Sequence, residues 1–448
     1  MLKKLLITLF FIATVAQGQH IVKGTMAPID ETVSWVALYQ LKGSKQIYID
    51  NVTIENGTFS INIPENAPKG MYRLRFKMEA SGNVNFIYNK ENLDVKFDPN
   101  MPAETIEFST SEDNKLYYSF LNQTAVLKQQ LDAIQYRYFK LKTVEEKVDS
   151  RVLYKSTLLS YTATQQEFEE KSKDKLAYHF IKAGKKYYNE TLFESAQEYL
   201  NSEKTHYFDY IDFTDVYLQN STEITEYVLN YVFYFNVSED PDVQFALHKS
   251  AIDNVMYRLE DNASLRAEVT TTLLFTFSQR ENLRAMEYLM VNYYNKLPAT
   301  LQNEVDIETI LNNVRLAVGK NAPDFSWDEN GASKSLYALN KAETYVLVFW
   351  STSCSHCVVE VPELYEFLKD KPNIHVVDVA LENDRLGYDV YKEKFLNWTN
   401  VLGLGKWENS IAKTYEIVST PTYFILDANK KIIAKPEYVK DVKTYFGN

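Results

Sequence analysis

The sequence predicts a multidomain α+β protein, in which a small β-sandwich is followed by an all-helical region and then by an α/β domain. Short alternating apolar runs separated by turn signals fill residues 19–106. Residues 107–318 contain only one glycine and two prolines, so they lack the turn signals that separate strands, which favours helices. Strand and helix patterns alternate through residues 319–448. A chain of 448 residues is also too long for one hydrophobic core, which favours several domains.

The charge balance excludes two classes of partner. Asp and Glu number 60 against 48 Lys and Arg, which gives a formal net charge of −12 at pH 7. Nucleic acids and anionic membrane surfaces select for clustered positive charge. We therefore expect neither as a partner.

Residues 1–18 have the pattern of a secretory signal peptide. Lys3 and Lys4 precede an apolar run at residues 5–15. Ala16 and Gly18 are small residues at the −3 and −1 positions of a signal-peptidase cleavage site. A transmembrane anchor is the alternative, but this run is shorter than the roughly 20 apolar residues that span a bilayer. We expect cleavage after Gly18 and a soluble mature protein in the periplasm or another extracytoplasmic space.

The first predicted domain, residues 19–106, has the period-two alternation of half-buried strands. Phe59, Ile61 and Ile63 alternate with polar residues, and Asn56-Gly57 is a hairpin turn signal. Several such strands predict a small antiparallel sandwich. It contains no catalytic constellation, so we interpret it as a binding or spacing module.

The second predicted domain, residues 107–318, has helical periodicity and should form eight to ten helices of ordinary length. Its apolar and aromatic residues recur at helical spacing, as in the stripe formed by Phe120, Leu127, Leu131 and Ile134. Such a stripe is typical of a helix core, and a peptide-binding groove is the alternative.

The third predicted domain, residues 319–448, should be a mixed sheet with helices on both faces. We predict strands at 345–350 and 374–380, a hairpin of strands at 423–426 and 432–434, and helices at 355–369, 388–395, 407–415 and 439–446. The apolar run at 345–350 is typical of a strand that is buried on both faces.

Cys354 and Cys357 are the only cysteines, and they form one CxxC motif after this buried strand. The start of the following helix favours an anion, so Cys354 should be the more readily ionised thiol and Cys357 the covered, resolving thiol. His356 either adds positive charge or is an exposed bystander. Half a zinc site and a structural disulfide are the alternatives, but the chain has no second CxxC, and so short a loop would cross-link almost nothing. We expect no metal and no cofactor.

Glu360 follows Cys357 by three residues, on the helix face that carries Val361, Leu364 and Leu368. A carboxyl directed toward a core should have a raised pKa and is able to accept the proton of the resolving thiol. A glutamate that reaches solvent at the edge of the stripe is the alternative.

Pro421 enters an apolar strand within Thr420-Pro421-Thr422. A proline there removes a ladder donor, so it marks either a cis bond facing the CxxC or an ordinary trans proline at the first position of the strand. The cis arrangement leaves a backbone group free to pair with an extended substrate.

Together these residues resemble the TlpA/ResA-like branch of the thioredoxin superfamily. The resemblance covers about residues 321–448 and is carried by the segments Ala322-Pro323-Asp324-Phe325, Val346-Leu347-Val348-Phe349-Trp350, Cys354-Ser355-His356-Cys357, Glu360 with Pro362, and Thr420-Pro421-Thr422. It implies a thioredoxin fold, Cys354 as nucleophile, Cys357 as resolving thiol, Glu360 as buried acid and Pro421 as cis proline. Thioredoxin has its acid on the strand before the site, where this chain has Val348, so Glu360 would take that part. We assign substrate contact to Trp350, His356, Thr420 and Pro421.

The resemblance implies an exported thiol–disulfide oxidoreductase that acts as a reductant. Its partners would be disulfide-containing exported proteins and a membrane or periplasmic thiol electron donor, and its oligomeric state stays open. The direction of electron flow also stays open, because a histidine between the cysteines stabilises the thiolate and favours an oxidant. The alternative function is a polypeptide-binding or holding protein with a secondary redox domain.

Overall fold

The computed structural model describes residues 20–79, 81–329 and 331–447. The chain divides into two compact units, one running to Leu273 with Lys296–Leu301, the other comprising Leu274–Asn295 and the chain from Gln302 onward. The predicted signal peptide lies outside the described residues. The predicted domain boundaries at residues 106 and 318 remain a prediction.

The N-terminal part of the first unit is built from two four-stranded sheets, with strand orders β4-β1-β7-β8 and β3-β2-β5-β6. Apolar side chains from both sheets form one core, in which the alternating residues Phe59, Ile61 and Ile63 are buried as predicted. The elements are β1 His20–Met26, β2 Trp35–Lys42, β3 Lys45–Thr53, β4 Thr58–Ile63, β5 Gly70–Arg75, β6 Asn83–Tyr88, β7 Leu93–Phe97, α1 Pro102–Thr105 and β8 Glu107–Phe108.

One strand pair differs from the predicted antiparallel arrangement. Strands β1 and β7 are parallel, with Val22 opposite Leu93. Apolar alternation has the same period in parallel and antiparallel strands, so the pattern could not distinguish them. The predicted turn at Asn56-Gly57 is present, and both residues have positive φ, 51° and 72°, as a type I′ turn requires.

A long helical segment follows, and its ten α-helices in the described chain agree with the predicted eight to ten. Phe120, Leu131 and Tyr138 are buried, so this aromatic and apolar stripe packs as core. The helices are α2 Glu112–Tyr138, α3 Val144–Ser172, α4 Ala177–Ala183, α5 Ala196–His206, α6 Val216–Gln219, α7 Glu223–Phe233, α8 Pro241–Arg258, α9 Ala263–Gln279, α10 Leu283–Asn292 and α11 Glu304–Asn313, with 3₁₀ turns at Tyr294–Lys296 and Ala299–Leu301.

The C-terminal part of the second unit contains a five-stranded mixed sheet of order β13-β12-β11-β14-β15. Strands β11, β12 and β13 are parallel, whereas β14 is antiparallel to both β11 and β15. Its elements are β9 Ser326–Glu329, β10 Ala332–Ser335, β11 Thr344–Trp350, α12 Cys357–Leu368, β12 Ile374–Glu382, α13 Leu386–Lys392, β13 Thr399–Leu404, α14 Ser410–Thr414, β14 Thr422–Asp427, β15 Ile432–Ala434 and α15 Val439–Tyr445, with a 3₁₀ turn at Lys406–Glu408.

Strand β11 is buried on both faces, as its continuous apolar run predicts. Leu347 and Phe349 pack on the face that Ile411 of α14 covers. Val346 and Val348 pack on the opposite face, which is covered by α12, α13 and α15. The mixed sheet with helices on both faces is therefore confirmed, whereas the β9–β10 hairpin and the edge strand β13 were not predicted.

None of the helices within residues 20–79, 81–329 and 331–447 combines the length and the apolar composition that crossing a bilayer requires.

Candidate active site

The CxxC motif forms the turn between β11 and α12. Helix α12 begins at Cys357, two residues later than predicted, so Cys357 is its first residue rather than a residue one turn inside. The carbonyl oxygen of Cys354 accepts a hydrogen bond from the Val358 amide at 3.2 Å, and its Sγ accepts one from the Cys357 amide at 3.2 Å. The sulfur of Cys354 therefore accepts from a backbone amide at the start of the helix, where the first amides have no carbonyl partner within the helix.

The two thiols, both free in this structure, have opposite environments. Cys354 is half-buried and Cys357 is completely buried. Burial opposes ionisation of Cys354, but hydrogen bonds from the thiol and the amide of Cys357 outweigh it and lower the pKa of Cys354. Burial, together with the thiol of Cys354, raises the pKa of Cys357 to about 12. Cys354 is thus the sulfur that ionises first.

The segment before β14 lies directly against the first cysteine. The Cys354 thiol donates to the carbonyl oxygen of Thr420 at 3.3 Å. The Thr420–Pro421 peptide bond is cis, which is the alternative that the family resemblance implied. Thr420, Pro421 and the CxxC turn thus come together although 66 residues separate Cys354 from Thr420.

Glu360 is half-buried on α12, and its partners come from elsewhere in the fold. Its Oε2 accepts hydrogen bonds from the Tyr423 hydroxyl at 3.1 Å and from the Val439 amide at 3.2 Å. Burial and the neighbouring carboxylate of Glu360 raise the pKa of Tyr423 well above its usual value. In the described chain the hydrogen bonds of Glu360 go to β14 and α15, not to the Cys357 thiol.

Trp350 and His356 occupy different surroundings. Trp350 is only 1% exposed, and its indole Nε1 donates to Oδ2 of Asp378 at 3.1 Å. A side chain so deeply buried has no surface for a docked peptide, so the predicted substrate contact of Trp350 is wrong for this structure. His356 is exposed immediately before α12 and remains available at the surface.

Two polar residues that hold the CxxC turn, Glu382 and Lys406, were not predicted from the sequence. Glu382, at the end of β12, accepts from the Thr352 amide at 2.5 Å and from the Ser351 hydroxyl at 3.3 Å. Lys406 donates to the Ser353 hydroxyl at 2.9 Å. Their positions could have revealed them, because Glu382 ends β12 and Lys406 follows β13. The carboxyl ends of neighbouring parallel strands meet at one edge of a sheet, which is also where β11 leads into the CxxC turn.

Asp378 was also missed, although it interrupts an apolar run in the middle of β12. It is 1% exposed, and burial raises its pKa to about 7 despite the hydrogen bond from Trp350. The apolar residues on both sides of Asp378 give the whole run the pattern of a buried strand, and this pattern does not reveal a role for the carboxyl.

The arrangement of the two sulfurs suits thiol chemistry. No group of three or more His, Cys, Asp or Glu side chains within the described ranges is placed to hold a metal ion. A readily ionised sulfur instead lies beside a buried, protonated one, which is the pairing that thiol–disulfide exchange requires.

Comparison with known proteins gives matches to two family models. Residues 317–444 match the model described as Redoxin, and residues 20–117 match a domain of unknown function, DUF4369. The thiol-disulfide oxidoreductase ResA of Bacillus thuringiensis subsp. konkukian is 30% identical over 122 residues, which cover 27% of this chain and 69% of that protein. The chain belongs to the ResA-like thiol–disulfide oxidoreductases of the thioredoxin superfamily.

Other ResA-like relatives match the same share of the chain. ResA of Geobacillus thermodenitrificans is 26% identical over 136 residues, 29% of this chain and 76% of that protein. Among solved structures, a domain of a possible thiol-disulfide isomerase from Cytophaga hutchinsonii is 30% identical, with a TM-score of 0.26, and covers 29% of this chain and 90% of that chain. The thioredoxin domain of a Bacteroides vulgatus thiol-disulfide oxidoreductase is 28% identical, with a TM-score of 0.25, and covers 30% and 99%. The resemblance inferred from the sequence motifs is confirmed.

Proposed function

We propose that this ResA-like protein reduces disulfides of exported proteins through Cys354 and Cys357. The observation that carries the proposal is the opposite ionisation of the two thiols, since the pKa of Cys354 is lowered and that of Cys357 is raised to about 12. A nucleophile must be a thiolate at working pH, whereas a resolving thiol should remain protonated until it is needed.

The reaction begins with the Cys354 thiolate, which attacks one sulfur of the substrate disulfide. The substrate S–S bond breaks, its leaving sulfur takes a proton, and a mixed disulfide joins Cys354 to the substrate. Cys357 then loses its proton and attacks Cys354, so the substrate leaves with both of its sulfurs reduced. The protein ends as the Cys354–Cys357 disulfide, and a membrane or periplasmic dithiol donor reduces it again.

Glu360 is the acid that we propose accepts the proton of Cys357. It lies one helical turn after Cys357, where the Tyr423 hydroxyl and the Val439 amide hold its carboxylate. Both partners donate to the carboxylate, so the side chain is held against β14 and the start of α15. That position supports a role in the second half of the reaction.

Thr420, Pro421 and His356 are the residues that we propose contact the substrate. The Thr420 carbonyl already accepts from the Cys354 thiol, and an extended peptide at this strand end would find backbone groups beside the reacting sulfur. His356 is exposed on the same turn.

The direct test is insulin reduction by the full chain with a Cys354→Ser substitution. We expect reduction to be lost, whereas Ser355→Ala, which changes an exposed residue of the same turn, should retain it. Cys357→Ser should accumulate the mixed disulfide on Cys354. Retained insulin reduction by Cys354→Ser would overturn the proposal.

Reduction rather than oxidation follows from the resemblance and is tested by the reduction potential. A ResA-like reductant should equilibrate with glutathione at a potential below that of protein disulfide isomerase, about −180 mV. A potential near that of a strong oxidant, about −120 mV, would reverse the proposed direction but keep the chemistry.

Export is part of the proposal and rests on the signal-peptide pattern of residues 1–18. Expression of the full-length gene in a Gram-negative host should give a periplasmic protein that starts at Gln19, as checked by fractionation and N-terminal mass spectrometry. Substituting Leu5 and Leu6 by Asp should keep the chain in the cytoplasm. Export of that variant would contradict the assignment.

A second function, the holding of exported polypeptides, stays a candidate for residues 107–318. The favouring observation is a set of exposed apolar side chains on α3, Val144 at 79%, Val152 at 66% and Leu159 at 64% exposure. The double variant Cys354→Ser with Cys357→Ser should then still suppress aggregation of a reduced client. Replacing these three α3 residues by serine should abolish that suppression without affecting insulin reduction.

A further inference from the structure

Asp378 lies inside the redox domain on the face of the sheet that α12 covers. Its neighbours on the same face of β12, Val376 and Ala380, belong to the apolar cluster that contains Cys357. In the register of the sheet it stands between Val348 on β11 and Asn400 on β13. An ionisable carboxyl therefore occupies the apolar layer to which the resolving thiol also belongs.

The hydrogen bonds around Asp378 leave two buried acceptor oxygens as neighbours. Its Oδ2 accepts from the Trp350 indole, but within the described chain Oδ1 of Asp378 and Oδ1 of Asn400 have no donor. The Asn400 amide nitrogen donates to the carbonyl oxygens of Phe395 and Trp398, which fixes the orientation of that side chain. Partners on adjacent strands are only about 4.8 Å apart.

A proton on Asp378 would supply the donor that these two oxygens lack. The protonated Oδ1 would have a hydrogen to donate, and the Asn400 oxygen is an acceptor on the neighbouring strand. Without that proton a carboxylate and an amide oxygen would both be buried without a donor, which is strongly unfavourable.

No positive charge compensates the carboxyl, because no ion pair within the described residues involves Asp378. Tyr388 of α13 is near enough to interact with it, and burial, with the charge of Asp378, raises the pKa of Tyr388 to about 12. The charges of Arg385 and Asp389 also affect the pKa of Tyr388, and these two side chains form an exposed ion pair with each other. The elements packed on this face carry further titratable groups: His375 and Glu382 on β12, Cys357, Glu360, Glu363, Tyr365 and Glu366 on α12, Tyr388, Asp389, Tyr391 and Lys392 on α13, Tyr423 and Asp427 on β14, and Lys440, Asp441, Lys443 and Tyr445 on α15.

Asp378 can affect the dithiol in two ways, through its hydrogen bond to Trp350 and through the electric field of its carboxyl group. Trp350 is the last residue of β11, directly before the turn that holds Cys354. Its indole is bound to Asp378, and its ring packs in the same apolar cluster as Cys357. A charge on Asp378 would act on the thiolate through a medium of low dielectric constant.

We propose that Asp378 is a positioning residue that, when protonated, donates a hydrogen bond to Asn400 and adds a step around neutrality to the pH dependence of the reduction potential of the Cys354–Cys357 pair. The inference rests on the proposed function, since it assumes that the pair cycles. Reduction of the disulfide by two electrons produces the Cys354 thiolate and, with one proton, the Cys357 thiol. The new negative charge strengthens proton binding at Asp378, so reduction also takes up a fraction of a second proton there.

The test is the equilibrium constant of the full chain with glutathione, measured between pH 5.5 and 9, which are about 1.5 to 2 units on either side of neutral. After correction for glutathione ionisation, the wild type should show an additional inflection near pH 7, amounting to about threefold to tenfold in the equilibrium constant. Asp378→Asn should lose that inflection. Asp370→Asn, which removes the same charge from an exposed position in the same domain, should keep it.

Superposed profiles for wild type and Asp378→Asn would overturn the inference and leave the dithiol chemistry intact. A wild type that does not exchange with glutathione at all would instead refute the proposed function. Infrared difference spectra of the oxidised and reduced wild type give a second readout that does not depend on the variant folding. At pH 7 they should contain a carboxylic-acid C=O band, and the absence of that band would also overturn the inference.

Discussion

The thiol of Cys354 lies 3.3 Å from the carbonyl oxygen of Thr420, so the cis Thr420–Pro421 segment touches the sulfur that ionises first. The same sulfur accepts from the amide of Cys357 at 3.2 Å. The attacking thiolate has no hydrogen to donate, so this hydrogen bond to Thr420 is lost when Cys354 ionises. A docked disulfide substrate would then have to replace the contact. The sulfur of Cys354 thus contacts both the start of α12 and the Thr420–Pro421 segment, where we propose that the substrate binds.

Glu360→Gln should slow the second half of the reaction and leave the first half unchanged. The amide keeps an acceptor for Tyr423 and Val439 but takes up no proton from Cys357, so release of substrate should slow by about a hundredfold. Single-turnover mixing that follows formation and decay of the mixed disulfide separates the two steps.

Glu363→Gln is the matched control for that variant. Glu363 lies on the same helix, but its carboxylate pairs with Lys443 at the surface. Equal decay rates for wild type, Glu360→Gln and Glu363→Gln would remove Glu360 from the reaction.

Glu382→Gln should loosen the CxxC turn. The carboxylate of Glu382 accepts from the Thr352 amide and the Ser351 hydroxyl, and its charge strengthens both bonds. We expect hydrogen exchange at the Thr352 amide to speed up by about tenfold, which corresponds to the loss of roughly 1.4 kcal/mol of local protection. Exchange at an unchanged rate, measured on peptides that cover residues 351–356, would show that this anchor does not order the turn.

Asp378→Asn should stabilise the redox domain at alkaline pH and not at acid pH. The folded-state pKa of Asp378 is raised to about 7 from 3.8, so folding binds a proton between these values, and the stability present below pH 3.8 is lost as the pH rises through 7. Asparagine has no such dependence.

The size of this effect is about 4 kcal/mol at pH 8, since the pKa rises from 3.8 to about 7 and one pKa unit corresponds to about 1.4 kcal/mol. Thermal unfolding of the oxidised protein at pH 4 and at pH 8 measures it, with Asp370→Asn as the surface control. A constant difference between Asp378→Asn and wild type at both pH values would mean that Asp378 does not titrate with folding.

The strand that carries the site was predictable because its signal is local. The apolar run at 345–350 and the CxxC after it predicted β11 and the turn to within a residue or two. Strand β13 was missed because Asn400 and Gly403 interrupt its apolar pattern, and the β9–β10 hairpin was missed because its residues are mostly exposed.

The partners of the site residues were not predictable in the same way. Glu360 is held by groups that lie 63 and 79 residues further along the chain, and no local pattern reports such contacts. Trp350 was assigned to the substrate surface because of its place in the motif, whereas the fold turns its indole inward to Asp378. Burial of a single side chain depends on tertiary packing, which the sequence pattern leaves undetermined.

The most direct test of the account is the alkylation rate of each cysteine in the reduced full chain as a function of pH, resolved by mass spectrometry of peptides. The structure predicts that Cys354 alone is modified near neutral pH, with a midpoint below the ordinary value of about 8.5, while Cys357 stays unmodified until strongly alkaline pH. Equal modification of the two thiols, or earlier modification of Cys357, would contradict the assignment of Cys354 as the nucleophile.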